Sequence, residues 1–115
     1  MSFDIGAIVR VPFPITEKKG RKFRPALVVA QFRVTRDINL LWTLMITGAN
    51  REKWEGDVEL PDHEAIGLPI ASMVRTAKIA TIDACEAQPI AQIDGDLLQQ
   101  ILARVRAGVA VVPAL

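Results

Sequence analysis

The chain runs in short apolar stretches broken by polar turns, then changes its period near the C-terminal end. Ala7, Ile8, Val9, Arg10 and Val11 alternate in part before Pro12-Phe13-Pro14, which predicts a first strand over 7–13. Residues 14–23 form a polar stretch containing Gly20, the composition of an exposed loop. A second strand is predicted over 25–34, with Pro25 tolerated at its first position only. After a turn at 35–39, the apolar run Leu40, Leu41, Trp42, Leu44, Met45 and Ile46 predicts a third strand over 40–47, ending in Gly48. Residues 57–60 predict a short strand, 71–82 one long bent strand or two short ones, and 90–93 one more.

The last segment is helical in period. Leu97, Leu98, Ile101, Leu102, Val105 and Val109 share one face, while Gln99, Gln100, Arg104 and Arg106 fall away from it. Asp94 or Asp96 supplies the acceptor for the first amide protons, Gly108 weakens the last turn and Pro113 ends the helix. Five or six short strands followed by one amphipathic helix give a mainly β (α+β) class. The predicted architecture is a small β-barrel with a C-terminal helix, one domain over 1–115. Within it, Trp42 is expected in the core, Cys85 as a buried small residue and His63 in solvent.

Composition narrows the chemistry. Half of the 115 residues are hydrophobic and 23% are charged, the balance of an ordinary globule with a core of its own. No apolar run is long enough for a membrane span and residues 1–10 show no export signal, so the expected location is the cytoplasm. One cysteine cannot make an internal disulfide, and with a single histidine it cannot build a zinc site of nitrogen and sulfur ligands. A zinc centre of that kind is therefore not expected. The net charge of +1 conceals an asymmetry: Lys18, Lys19, Arg21, Lys22 and Arg24 against Glu17 make 17–24 carry +4, so the remainder carries −3. Such a run is either a solvated loop or a track for phosphates.

Arg24 stands where the basic segment meets a buried strand, and Pro25 biases it toward an extended backbone. Met45-Ile46-Thr47-Gly48 ends another apolar strand with a hydroxyl and a glycine. Ser72-Met73-Val74-Arg75-Thr76 carries a second arginine on a strand, followed by Thr81-Ile82-Asp83. On composition and spacing alone, the favoured reading of Arg24 is a rim salt bridge and of Thr47 a hydroxyl satisfying backbone.

With these elements in this order, the sequence resembles toxins of the MazF/PemK (Kid) kind, the stable partners in type II toxin–antitoxin pairs. The resemblance runs through Gly6 to Phe13, Arg24 to Val29, Met45 to Gly48, Trp54 to Leu60, Val74-Arg75 with Thr81-Ile82-Asp83, and the helix from Asp94. It implies an SH3-like barrel, a homodimer, and sequence-specific, metal-independent cleavage of single-stranded RNA that leaves a 2′,3′-cyclic phosphate and a 5′-hydroxyl. It also implies a cognate antitoxin with an acidic, partly disordered tail. Carried over by position, the catalytic residues are Arg24, Thr47 and Arg75. The RNA contacts are Lys18, Lys19, Arg21, Lys22, Trp54 and Lys78, with Trp54 either stacking on a base or pinning a loop. One departure stands out: members that rely on the second arginine carry an aspartate two positions later, where this chain has Ala77. Glu17 is the one acid of the basic segment left as a candidate base.

Two other classes remain open. One is a gyrase poison of the CcdB-like kind, whose Trp-Gly-Ile ending is replaced here by Val112-Pro113-Ala114-Leu115. The other is a member that binds RNA or antitoxin without cutting.

Overall fold

The computed structural model describes residues 3–14 and 21–110. Six strands, β1 (Ala7–Pro14), β2 (Arg21–Arg33), β3 (Asn39–Gly48), β4 (Asp57–Glu59), β5 (Ser72–Asp83) and β6 (Gln88–Gln92), are followed by helix α1 (Gly95–Val109). They form one antiparallel sheet in the order β4-β5-β3-β2-β1-β6. The mainly β class with a C-terminal helix is as expected; the sheet, however, is not closed. Closing a barrel requires its outer strands to pair, and β4 pairs only with β5 while β6 pairs only with β1.

Alternation divides the apolar residues between two faces. Val9, Val11, Phe13, Ala26, Val28 and Met45 belong to one buried cluster. Ile8, Leu27, Leu44, Ile46, Val58 and Val74 form the other, which α1 covers with Ile101 at its centre. Ile101 is fully buried, and Leu97, Leu98 and Val105 flank it. Asp94 caps the helix, its side chain accepting from the Asp96 amide at 3.2 Å. Gly6, at φ +95°, passes beneath the helix. A Cβ there would come within 3.0 Å of the Leu98 side chain and 2.6 Å of the Gln92 amide nitrogen. Glycine is the residue that permits both the conformation and the approach.

Several boundaries differ from expectation. β2 starts at Arg21, so Pro25 lies inside it. Pro25 pairs with Arg10 of β1, and the ladder to β3 begins only at Ala26, so β2 has an open side there and the missing N–H breaks no ladder. The 71–82 region is one strand, but three residues, Thr76, Ala77 and Lys78, fall between the consecutive pairs Leu44↔Ile79 and Met45↔Arg75. A bulge of this kind bends and twists the strand. The helix stops at Val109, where Ala110 turns extended, rather than running to Pro113, which lies outside the described residues.

Trp42 is 44% exposed and not core: it packs edgewise on Phe32, with ring centroids 4.8 Å apart. Cys85 is exposed in a short 3-10 turn (Ala84–Glu86), and His63 is half-buried. Among the described residues, no helix is long and apolar enough to cross a membrane.

Because Ile101 ties the helix to the sheet, Ile101→Ala removes a fully buried side chain and leaves a cavity. The expected loss is about 2–5 kcal/mol, read as a lower midpoint in urea unfolding.

Candidate functional site

Sheet register determines which of the candidate residues meet. β2 and β3 pair through Ala26↔Met45, and the same register extended by two residues runs through Arg24 and Thr47. β5 joins this row from the other side, with Thr47↔Met73 and Met45↔Arg75. Side chains two apart on a strand share a face, so Arg24, Thr47 and Arg75 lie on the same side of three adjacent strands. Lys22, exposed and opposite Phe13, extends that row along β2.

The three differ in their surroundings. Arg24 is half-buried and makes no ion pair or hydrogen bond with any described residue. Thr47 is 8% exposed, and its hydroxyl likewise has no hydrogen-bond partner among the described residues. Arg75 is 7% exposed and tied to its neighbours through one guanidinium nitrogen. Its Nη2 donates to Asp57 Oδ2 at 3.1 Å and to the Glu52 carbonyl at 2.6 Å, and the guanidinium lies 3.9 Å from the centre of the Trp54 ring. Asp57 Oδ2 also accepts from the Trp54 amide at 2.8 Å. The pair is incompletely satisfied: Asp57 Oδ1 and Arg75 Nε are buried without partners.

The local sequence explains this cluster. Trp54-Glu55-Gly56-Asp57 makes a tight turn closed by the Asp57 amide on the Trp54 carbonyl at 3.1 Å. Gly56, at φ +89°, takes the third position, where such turns need glycine. Its carbonyl accepts from the Thr76 hydroxyl at 2.8 Å, tying the turn to the β5 bulge. Asp57 then opens β4 directly opposite Arg75.

Asp57 is the residue that sequence reading passed over, as one of several acids between 52 and 64. Its signal was positional: a carboxylate on the inward alternation of a short strand needs a buried cation as its partner.

The other candidates are dispersed. Lys78 lies half-buried in the β5 bulge with no ion pair among the described residues. Ala77 is exposed in the same bulge. It lines a cavity of about 570 Å³ with Ile79, Val105 and Val109, to which Arg24, Thr47 and Arg75 contribute nothing. Lys18, Lys19 and Glu17 lie outside the described residues, and Arg21 opens β2 with its side chain undescribed. Cys85 stands apart from the row. Its hydrogen bond with Asp83 pushes the thiol pKa above its ordinary value, which lowers the thiolate fraction.

The family model for PemK-like, MazF-like toxins of type II toxin–antitoxin systems matches residues 4–109. The chain belongs to this family. No curated protein resembles this PemK/MazF-like chain significantly by sequence. Among solved structures, MazF from Deinococcus radiodurans superposes with a TM-score of 0.71 at 21% identity, covering 92% of this chain and 94% of that one. The MazE-MazF complex from the same organism gives 0.68 at 21% identity, with 95% and 96% covered. An endoribonuclease in complex with its cognate antitoxin from Mycobacterial species gives 0.66 at 16% identity, with 93% and 96% covered.

Removing one member of the Asp57–Arg75 pair strands the other charge in a buried site. Arg75→Met is therefore expected to destabilise the fold by roughly 3–5 kcal/mol in chemical denaturation, whereas the double change Asp57→Leu with Arg75→Met recovers most of that loss.

Proposed function

We propose that this PemK/MazF-like protein is a sequence-specific endoribonuclease that cuts single-stranded RNA and so acts as the growth-inhibiting member of its pair. The observation that carries the reading is that Arg24 and Thr47, each without an ion-pair or side-chain hydrogen-bond partner among the described residues, lie on one sheet face of a chain of this family. The name borne by the Mycobacterial structure, an endoribonuclease with its antitoxin, supports it.

The chemistry asks little of the protein as a nucleophile. The substrate's 2′-oxygen attacks the adjacent phosphorus, an O2′–P bond forms and the P–O5′ bond breaks. The products are a 2′,3′-cyclic phosphate and a 5′-hydroxyl. The 2′-hydroxyl loses one proton and the departing oxygen gains one, without metal or cofactor. Arg24 is assigned to the non-bridging oxygens, where a planar fork meets the charge that grows in the transition state. Thr47 is assigned to a phosphate oxygen as a hydrogen-bond donor. It is too weak an acid or base to move the proton itself, and a guanidinium with a pKa above about 12 is a poor base.

Lys18, Lys19, Arg21, Lys22 and Lys78 are assigned to the phosphate backbone, where cations position RNA without reading it. Arg75, committed to Asp57 and the Glu52 carbonyl, is assigned a positioning part. The partners proposed are single-stranded RNA, a cognate antitoxin whose acidic tail covers the same row, and a second copy of the chain. The work is placed in the cytoplasm.

A second reading, an RNA or antitoxin binder that does not cut, draws on Ala77. No carboxylate among the described residues contacts Arg24 or Thr47. The two readings separate on one assay. Long single-stranded RNA incubated with the protein in excess EDTA is expected to be cut, with 2′,3′-cyclic phosphate ends. Arg24→Ala is expected to slow cutting by ~10²–10³, the scale of losing one oxyanion-stabilising group. Binding without cutting by the folded, antitoxin-free protein selects the second reading. Sedimentation is expected to give the mass of two chains, and a monomer at working concentration refutes the dimer.

A further inference from the structure

An exposed tryptophan on a loop gains little from burial, yet the segment from Glu52 to Trp54 is held by three contacts while 43% of Trp54 remains open. One face of its ring rests on the Arg75 guanidinium at 3.9 Å. Its backbone amide is fixed by Asp57 Oδ2 at 2.8 Å, the same oxygen that takes Arg75 Nη2 at 3.1 Å. Arg75 Nη2 in turn holds the Glu52 carbonyl, two residues before the tryptophan, at 2.6 Å. A single carboxylate oxygen thus sets both the ring and the cation beneath it. This costs the protein a buried ion pair with two unsatisfied atoms. A loop could be pinned to the sheet more cheaply by an aliphatic side chain in a pocket. What this arrangement yields instead is a rigid aromatic surface, backed on one side and available on the other.

Its place relative to the proposed cleavage row is fixed by register. Arg75 faces Met45, one step along β3 from Thr47 on the same face, and diagonal neighbours across such a ladder are roughly 7–8 Å apart. A strand whose phosphate lies at Arg24 and Thr47 therefore brings an adjacent base within reach of the Trp54 ring. Every base has a π face, so an aromatic platform gives affinity and orientation, and its fixed height and tilt favour bases that fill the space beside it.

We infer that Trp54, underlaid by Arg75 and set by Asp57, is a stacking platform for one base of single-stranded RNA next to the Arg24–Thr47 row, with Asp57 its positioning residue. This rests on the RNA reading given above. It moves Arg75 from the scissile phosphate to the support of a neighbouring base.

The platform is tested by binding, apart from cleavage. In a Trp42→Phe background, Trp54 is the sole fluorophore of its kind, since the chain has two tryptophans. A short single-stranded RNA with 2′-O-methyl riboses binds without being cut, because no free 2′-hydroxyl remains. Its titration is expected to quench Trp54 emission. Trp54→Ala is expected to weaken binding by roughly 5- to 150-fold, the range for one stacked base, and Trp54→Phe to restore most of it.

Asp57→Asn keeps the size of the side chain but not its charge. It is expected to reduce the quench and to raise KM for cleavage more than it lowers kcat, as loss of a binding contact does. Should Asp57→Asn fail to fold, the exposed Trp54 variants still decide. Wild-type protein that binds the RNA with no quench, together with Trp54→Ala binding it equally well, overturns the platform and leaves the RNA reading standing. Wild-type protein that binds no single-stranded RNA overturns both.

Discussion

The buried contact between Asp57 and Arg75 organises the end of the sheet where β4 meets β5. It joins the short edge strand β4 to β5, fixes the turn before it and orients the Trp54 ring beside Arg75. An ion pair in a dry setting adds little net stability over an apolar substitute, since desolvation offsets most of its attraction. Its value lies in direction. Two charged groups with defined donors and acceptors accept one arrangement, whereas an apolar plug tolerates several. The row of Arg24, Thr47 and Arg75 inherits its geometry from that choice, because the neighbouring loop cannot settle elsewhere without stranding a charge.

The rest of the fold serves to present this face. Helix α1 buries Ile101 against the opposite side of the sheet, and the side bearing Arg24 and Thr47 packs a buried cluster of its own that includes Val11, Ala26 and Met45. The interruptions in pairing, at Ile8/Val9, Val28/Ala30 and Leu44/Met45, fall one each in the β1–β6, β2–β3 and β3–β5 ladders and bend a sheet that would otherwise lie flatter. Curvature of this sort lets strands that are not neighbours contribute to a common surface without closing the sheet into a barrel.

Much of this was legible in the order of residues. Alternation in 7–11 and the apolar run through Ile46 define strands whatever their partners, and the spacing from Leu97 to Val105 defines the helix. Arg24 and Thr47 were found through a pattern of motifs, and their common face follows from a register that no local pattern contains. The failures share a cause: they depend on neighbours distant in sequence. Pro25 sits inside β2 because β3 has not yet joined that strand. Trp42 looks like core until the short reach of a helix ending at Val109 is known. Asp57 reads as one more surface acid until β4 is laid beside β5.

The chain's only thiol carries a practical consequence. An exposed cysteine ordinarily invites air oxidation and covalent linkage between molecules, and the reactive species in both is the thiolate. Here the Asp83 carboxylate, which accepts from the Cys85 amide at 3.0 Å, raises the thiol pKa and so disfavours the thiolate. Oxidative cross-linking through Cys85 is therefore slower than at an exposed cysteine without such a neighbour.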